Sequence, residues 1–293
     1  MKVLVIGGSR YFGKHLVEEL LKKKAEVTLL TRGRHKDDFG DLVGRLRADR
    51  GNAHEMAAVT QGLKWDVIYD QVCFDSWDAR IACEVFADKT KRYVFTSSQS
   101  VYAYGASILE EEFDPSEYEF TKIASKETPS EYGEGKKQAE TVFAQEAPFQ
   151  TVMVRVPIVL GLDDPTGRLK WHLMKIKKGE LLYFPNLAAQ LSFIDSKEAG
   201  RVIMEIGVLS SEGPVNISSP NSVSMGELMK WIGDAKSLPV NITSDSNEGD
   251  PAPFGVGDDW YMNVDRMWEM GVRTTRLENW MPQLIEKMWK EIV

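Results

Sequence analysis

The first thirteen residues, MKVLVIGGSRYFG, decide the fold of this chain. Residues 3–6 form a short apolar run, which predicts a buried strand and is too short to span a membrane. Gly7, Gly8 and Gly13 follow, and apolar residues then recur at helical spacing. A strand, a glycine turn and a helix start can hold a pyrophosphate, because the backbone can approach it and the helix N-terminus offers free N–H groups. The stretch therefore predicts a dinucleotide site, with a plain tight turn as the alternative.

The composition is typical of a globular protein without a membrane segment. The 293 residues are 43% hydrophobic and 27% charged, and the length fits one large α/β domain with a small lobe. The net charge of −8 argues against nucleic acid as the main partner, since phosphate binding draws on clustered Lys and Arg. The two cysteines and four scattered histidines lack metal-ligand spacing, so we predict a reduced, cytoplasmic protein without a metal site.

The end of the second predicted strand, residues 26–30, indicates which cofactor is bound. In dinucleotide folds an acidic residue here binds the ribose 2′-hydroxyl of NAD, whereas arginine accommodates the 2′-phosphate of NADP. This strand is followed by TRGRH, which contains Arg32 and no carboxylate. Together with Arg10 in the glycine turn, this loop favours NADP(H) over NAD(H). The alternative is a solvated basic loop.

Tyr132 and Lys136 form a second chemical signal. They are spaced i and i+4 at the start of a helical segment, YGEGKKQAETVF, so their side chains lie on one helix face. A free tyrosine titrates near pH 10, so only about one in a thousand is phenolate at pH 7. A nearby ammonium favours the charged form and suits a phenol to acid–base work. The two glycines between them are unusual in a helix and indicate a frayed start or close approach by the cofactor.

These stretches resemble the extended short-chain dehydrogenase/reductase family, the NAD(P)-dependent epimerase/dehydratase group. Its TGxxGxxG pattern aligns with residues 6–13, where Ile6 replaces the Thr and Arg10 replaces the middle Gly. Its SSxxVYG-like string carries a catalytic Ser or Thr four residues before the Tyr, and in SSQSVYAY that position is Ser98. The resemblance is specific over the first 160 residues and general after them.

The resemblance implies a catalytic role for three residues. Ser98 would orient the substrate oxygen, Tyr132 would donate or accept a proton, and Lys136 would favour the phenolate and hold the nicotinamide ribose. The reaction would be hydride transfer to or from a carbonyl or carbinol carbon of a small-molecule substrate.

The resemblance also implies the residues that bind the cofactor. Asp49, after the third predicted strand at 42–48, would hold the adenine amino group, with a helix cap as the alternative. Pro157, in the sixth predicted strand at 151–160, would meet the nicotinamide carboxamide. The end of the fourth strand, at Val72, would pass under the cofactor. The full predicted set is Gly7, Ser9, Arg10, Tyr11, Phe12, Gly13, Arg32, Asp49, Val72, Lys136 and Pro157.

The predicted fold is a doubly wound parallel sheet (Rossmann) with a small C-terminal substrate lobe. Residues 1–160 would form the dinucleotide-binding domain, and 161–293 mostly the lobe, with about 191–210 returning to the Rossmann core. We expect the acidic residues 105–131 to form a solvated surface loop. Residues 244–259 would form a lid or a linker. The sequence leaves open whether the chain forms a homodimer.

Two departures from the family narrow the predicted reaction. Gln99 and Ser100 stand where sugar 4,6-dehydratases carry an Asp-Glu pair, and neither ionises usefully, which argues against dehydration. Ile158 stands where nucleotide-sugar epimerases usually have Asn. A carbonyl reductase is therefore favoured, and an epimerase acting on a sugar-nucleotide-like substrate stays open. The alternative class is a non-catalytic NADP(H)-binding redox sensor or an RNA-associated atypical member, whose glycine turn Arg10 resembles.

Overall fold

A seven-stranded parallel sheet forms the centre of the molecule in a computed structural model that describes residues 1–120 and 131–292. The strands are β1 (Lys2–Ile6), β2 (Glu26–Thr31), β3 (Gly44–Arg47), β4 (Val67–Asp70), β5 (Arg92–Ser98), β6 (Gly105–Ile108), β7 (Gln150–Val156), β8 (Ile158–Leu160), β9 (Leu182–Tyr183), β10 (Gln190–Leu191), β11 (Phe193–Asp195), β12 (Gly213–Asn216), β13 (Val223–Ser224), β14 (Ile242–Thr243), β15 (Asp250–Pro251) and β16 (Trp260–Met262).

The helices alternate with the strands along the first half of the chain. They are α1 (Tyr11–Lys22), α2 (Ala53–Val59), α3 (Ser76–Phe86), α4 (Tyr132–Glu146), α5 (Arg168–Lys177), α6 (Ser196–Val208), α7 (Met225–Asp234), α8 (Asp265–Glu269) and α9 (Leu277–Glu291). None of the helices in the described ranges is both long enough and apolar enough to cross a membrane.

The strand order of the main sheet is β12-β7-β5-β4-β1-β2-β3, and all neighbours are parallel. The central strand β1 is buried on both faces. Val3 and Val5 pack into the core cluster that contains α1 and α6 residues, whereas Leu4 and Ile6 pack into the cluster beneath α3 and α4. Two covered faces are the reason for the uninterrupted apolar run in the sequence. The predicted doubly wound parallel sheet is confirmed.

The later part of the chain builds a third apolar cluster and also returns to the main sheet. Residues of α5, α7 and α9 form this cluster together with residues of the short strands β9, β10, β11 and β13. Helix α6 packs on α1, and β12 pairs with β7 at the sheet edge. Strand β12, at 213–216, lies beyond the segment of about 191–210 that the sequence predicts to return. The division of the chain at residue 160 stays a prediction.

The predicted sixth strand, 151–160, is wrong as a single strand. It divides at Pro157, which has no N–H to donate to a neighbouring strand. Strand β7 before it pairs with β5 and β12 in the main sheet, whereas β8 after it pairs with β11. The proline thus directs the chain out of the main sheet at its carboxyl edge.

The prediction of a solvated acidic loop over 105–131 is also wrong in part. Residues 121–130 of this segment lie outside the described residues. Glu110 is only 3% exposed. Its Oε1 accepts the backbone N–H of Asn216 at 2.8 Å, and burial raises the pKa of its carboxyl group. The acidic composition does not indicate that Glu110 is buried, because its hydrogen-bond partner is a backbone amide far away in sequence.

A buried ion pair holds helix α4 on the sheet. Arg155 on β7 and Glu140 on α4 have fully buried side chains, and Arg155 Nη2 donates to Glu140 Oε2 at 2.6 Å. The Ser97 hydroxyl on β5 donates to the same carboxylate. Arg155 also donates to the carbonyl oxygens of Glu110 and Phe113, both at 2.8 Å. One guanidinium therefore joins α4, the sheet and the segment after β5.

We expect Glu140→Gln to lower the free energy of unfolding by about 3–5 kcal/mol, because the Arg155 guanidinium stays buried without its counter-charge. Denaturant unfolding of the two proteins measures the difference. Glu146→Gln on the same helix is the control, since its 3.6 Å ion pair with Arg80 is partly exposed, and we expect a loss of at most about 1 kcal/mol. Equal losses in the two variants would contradict the role of the buried pair.

Candidate functional site

A cavity of about 910 Å³ opens at the carboxyl edge of the main sheet. The glycine turn after β1 borders it, as do the residues that follow β2, β3, β4, β5 and β7. Pro253, Phe254 and Val256, from the segment predicted as a lid or linker, form part of its wall. All residues that the sequence predicts for the site line this cavity: Gly7, Ser9, Arg10, Tyr11, Phe12, Gly13, Arg32, Asp49, Val72, Ser98, Tyr132, Lys136 and Pro157.

The glycine turn places backbone at the floor of the cavity. Gly7 and Gly8 have φ angles of +93° and +79°, which L side chains rarely adopt. A Cβ atom on Gly8 would lie 2.8 Å from Val5 Cγ1, and one on Gly13 would lie 3.1 Å from Gly8 Cα. The turn thus packs tightly between β1 and α1. The N–H of Gly7 donates to the carbonyl oxygen of Leu30 at 3.0 Å, so a phosphate at this turn would be bound by the N–H groups that follow Gly7 at the start of α1.

Arg10, which replaces the middle glycine of the family pattern, immediately precedes α1, and Tyr11 begins this helix. Arg10 is exposed and extended, with φ −148°, and its side chain makes no capping hydrogen bond. Tyr11 has φ +57°, and its hydroxyl donates to the carbonyl oxygen of Val159. Burial raises the pKa of the Tyr11 phenol, so this tyrosine stays protonated and is not an acid–base candidate.

Gln71 supplies a polar group that the sequence did not indicate. It follows β4 directly and lies against the glycine turn, with its Cβ 3.3 Å from the position of a Cβ on Gly7. Among the described residues, neither its Nε2 nor its Oε1 has a hydrogen-bond partner, although both are buried. Buried polar groups are nearly always paired, so a polar ligand such as a dinucleotide fits this end of the cavity.

The rim of the cavity is basic at the end that lies beside β2 and β3. Arg32, Arg34 and His35 line it and are exposed. The Arg47 Nε donates to the Arg32 carbonyl oxygen at 3.2 Å, which holds the loop after β2 against β3. Arg32 and Arg34 thus place two exposed cationic side chains at this end of the cavity.

Asp49 lines the same end of the cavity. Its Oδ1 accepts the backbone N–H of Gly51 at 3.0 Å, so it stabilises a turn. The first turn of α2 is capped instead by Asn52, whose side chain accepts the N–H of Glu55. The alternative assignment of Asp49 as the cap of this helix is therefore wrong, and its contact with adenine stays a prediction.

Lys136 is buried at the opposite end of the cavity. It is 2% exposed, and its Nζ donates to the carbonyl oxygens of Cys73 at 2.7 Å and Thr96 at 2.8 Å. An ammonium has three N–H donors, and within residues 1–120 and 131–292 these two carbonyl oxygens are its hydrogen-bond acceptors, so a ligand can accept from the third. Nζ also lies 4.8 Å from the ring centroid of Phe95 and 5.7 Å from that of Tyr132. The charge of Lys136 is thus held beside a half-exposed phenol.

Ser98 ends β5 and stabilises the turn that follows it. Its Oγ accepts the backbone N–H of Ser100 at 3.1 Å and donates to Ser100 Oγ at 3.2 Å. A Cβ on Gly133 would lie 2.4 Å from the Ser100 carbonyl oxygen. The glycine after Tyr132 therefore permits contact between the first turn of α4 and the Ser98 turn, which explains a residue unusual in helices.

Gln99 and Trp260 are two further cavity residues whose roles the sequence did not indicate. The Gln99 Nε2 donates to the Trp260 carbonyl oxygen at 2.6 Å. Gln99 Oε1 and Trp260 Nε1 are buried and lack a partner within the described part of the chain. No sequence signal joins them, since the two residues lie 161 positions apart.

No group of three or more His, Cys, Asp and Glu side chains that could hold a metal ion occurs among residues 1–120 and 131–292.

Solved structures with this fold include nucleotide-sugar enzymes. The UDP-glucose 4-epimerase of Thermus thermophilus in complex with NAD aligns at a TM-score of 0.72 and 18% identity, over 100% of both chains. Thermotoga maritima UDP-glucose 4-epimerase with UDP-glucose aligns at 0.77 and 15%, again over 100% of both. Bacillus anthracis dTDP-glucose 4,6-dehydratase in complex with NAD aligns at 0.74 and 13%, over 99% of this chain and 97% of that one. At these identities the likeness shows the fold.

The chain is also similar to a curated protein, the chloroplast stem-loop binding protein of 41 kDa b from Arabidopsis thaliana. The two are 23% identical over 254 residues, which is 81% of this chain. The chain spans 64% of the length of that relative.

The sequence profile of one family covers the glycine turn, the Ser98 turn, helix α4 and strand β12. This profile, described as the NAD dependent epimerase/dehydratase family, matches residues 3–217, more than half of the chain. The resemblance inferred from the motifs is confirmed, and the chain belongs to the NAD dependent epimerase/dehydratase family.

Proposed function

We propose that this protein is an NADP(H)-dependent oxidoreductase that interconverts a carbonyl and a carbinol, with Tyr132 as the acid–base group. The observation that carries the proposal is the buried ammonium of Lys136 beside the ring of Tyr132, on the wall of the cavity that the glycine turn also borders. Membership in the family and the NAD named with its structural neighbours support the cofactor class.

A bound nicotinamide supplies a hydride to the carbonyl carbon, or accepts one from the carbinol carbon in the reverse direction. In reduction, the phenol of Tyr132 gives its proton to the substrate oxygen, so that hydride and proton together convert C=O into CH–OH. Tyr132 is 52% exposed, and solvent can therefore replace its proton. Lys136 stabilises the phenolate that is left, since a cation beside a developing negative charge lowers its energy.

Ser98 orients the substrate oxygen in this proposal. The residue is 7% exposed, and its single O–H donates to Ser100 Oγ at 3.2 Å. To donate to the substrate oxygen, this O–H turns away from Ser100 when the substrate binds.

The residues that would hold the cofactor follow from the cavity. The glycine turn would bind the pyrophosphate, and Arg32 and Arg34 would bind the 2′-phosphate of NADP(H). Asp49 would accept from the adenine amino group. Val72 and Pro157 would border the nicotinamide, and the remaining N–H of Lys136 would bind its ribose.

Reduction of a carbonyl is favoured over two related reactions. Gln99 and Ser100 follow Ser98 and neither side chain ionises near neutral pH, so the extra proton transfers of a dehydration have no acid or base there. The structural neighbours include epimerases, one with UDP-glucose, and a nucleotide-sugar epimerase is the second reaction that this site supports. Ile158, which lines the cavity, offers no hydrogen bond to a diphosphate.

We expect Tyr132→Phe to lower kcat/KM by about 10²- to 10⁴-fold, because the proton donor is removed. NADPH oxidation with a panel of aldehydes, ketones and UDP-sugars measures the loss, and NADPH binding should be unchanged. Tyr183→Phe, on β9 outside the cavity, is the control and should keep full activity. An active Tyr132→Phe enzyme would exclude this mechanism.

We expect Arg32→Ala to weaken NADPH binding by about 10- to 100-fold, as loss of a hydrogen bond to a charged group does, with little effect on NADH. Fluorescence titration of both cofactors measures the preference. Arg276→Ala, which removes an exposed arginine paired with Glu278, is the control. Equal weakening of NADPH and NADH would show that Arg32 does not read the 2′-phosphate.

A second candidate function is RNA binding without catalysis. The observation that favours it is the similarity to a protein named for stem-loop binding, whereas the net charge of −8 opposes it. We expect no binding of a 5′-labelled RNA stem-loop in fluorescence anisotropy at about 50 mM salt, where phosphate contacts are strong. This candidate would be favoured if the protein bound the stem-loop more tightly than a single-stranded RNA of equal length and if salt weakened that binding. The protein would then also bind the cofactor without turning over any substrate.

A further inference from the structure

Gln99 occupies a position beside the proposed reacting centre. It follows Ser98 directly, is 4% exposed and lines the cavity. Its amide group is fixed in one orientation, because Nε2 donates to the carbonyl oxygen of Trp260 at 2.6 Å. This leaves Oε1, an acceptor, buried and without a partner within residues 1–120 and 131–292. A buried acceptor without a hydrogen bond destabilises the folded protein, because the group has lost its bonds to water and gained none in exchange.

Trp260 supplies the complementary donor. It begins β16, which pairs with β6 and β10, and it reaches the cavity from a part of the chain remote from Ser98. The ring of Tyr104 packs against it edge-on at 5.6 Å. Its indole Nε1–H is buried and has no acceptor within the described ranges. Buried indole N–H groups usually find a partner.

We propose that Gln99 and Trp260 bind hydroxyl groups of the substrate next to its reacting carbon, and so make the enzyme selective for hydroxylated carbonyl compounds. A hydroxyl can both donate and accept, so it satisfies Gln99 Oε1 as donor and Trp260 Nε1 as acceptor. A substrate without hydroxyls leaves both groups unpaired, and such sites reject the deoxy analogue strongly. This inference rests on the proposed carbonyl–carbinol chemistry.

The surrounding wall combines apolar side chains with one cation, Arg168, whose guanidinium lies 5.8 Å from the ring centroid of Phe254. Leu191, Ile158 and Phe254 line the same cavity and offer only apolar contact. Among the residues beside this apolar wall, Gln99 and Trp260 are two that bring a buried polar atom without a partner in the described ranges. The specificity is directional, since one group only accepts and the other only donates.

The test compares two ketones of the same shape, dihydroxyacetone and 3-pentanone, as substrates for NADPH oxidation. We expect the wild-type protein to prefer dihydroxyacetone by at least about 100-fold in kcat/KM. Trp260→Phe removes the N–H and keeps an aromatic ring, and it should reduce this preference about 5- to 10-fold through KM for dihydroxyacetone, with 3-pentanone unchanged. Gln99→Met should act in the same direction. Trp231→Phe, outside the cavity, should have no effect.

Calorimetric binding of the two ketones to the NADP⁺-loaded protein separates this inference from the proposed function. Turnover of both ketones without a preference would overturn the role of Gln99 and Trp260 and leave the oxidoreductase function standing. Absence of turnover, with dihydroxyacetone binding that Trp260→Phe weakens, would overturn the function and support the two residues as a hydroxyl site. Equal or absent binding of both ketones would overturn the inference.

Discussion

The structure depends on the position of helix α4, which buries two charged side chains, Lys136 and Glu140, against the sheet. Lys136 reaches the carbonyl oxygens of Cys73, after β4, and Thr96, in β5, while Glu140 one turn later pairs with Arg155 of β7. Burying such charges is unfavourable unless they are paired and hydrogen-bonded. A displaced α4 would leave these groups unpaired, so the helix has one favourable position, which holds Tyr132 at the cavity.

The buried ion pair under α4 also connects the segment after β5 to the edge of the main sheet. Arg155 binds Glu140 and also the carbonyl oxygens of Glu110 and Phe113, and Glu110 in turn accepts the N–H of Asn216 on β12. The segment after β5 is thereby attached to the sheet edge. From there β6 pairs with β16, which carries Trp260 to the cavity. The polar core under helix α4 thus orders the strand that supplies part of the cavity wall.

The glycine turn and the YxxxK spacing could be predicted because both are local. A turn with φ angles that only glycine adopts readily leaves a mark in the sequence, and so does a pair of side chains on one helix face. The same holds for the buried run of β1, whose two covered faces remove polar residues from it. The sequence marks Gly133 as unusual in a helix, but the reason for it, the nearby carbonyl oxygen of Ser100, is a contact between separate elements. The burial of Glu110 likewise depends on a contact between separate elements, with the backbone of Asn216.

The sequence by itself determined the doubly wound sheet, the family, and the glycine turn, Tyr132 and Lys136 as parts of one cavity, because periodicity and short motifs encode local geometry. Only the tertiary structure decided that Pro157 divides a strand between two sheets, that Asn52 and not Asp49 caps α2, and that Gln71, Gln99 and Trp260 bring unpaired polar atoms to the cavity. Apart from the Asn52 cap, which is a local contact with Glu55, these features depend on residues far apart in the chain. Whether a polar atom is satisfied depends on every group packed around it, and no local pattern records that.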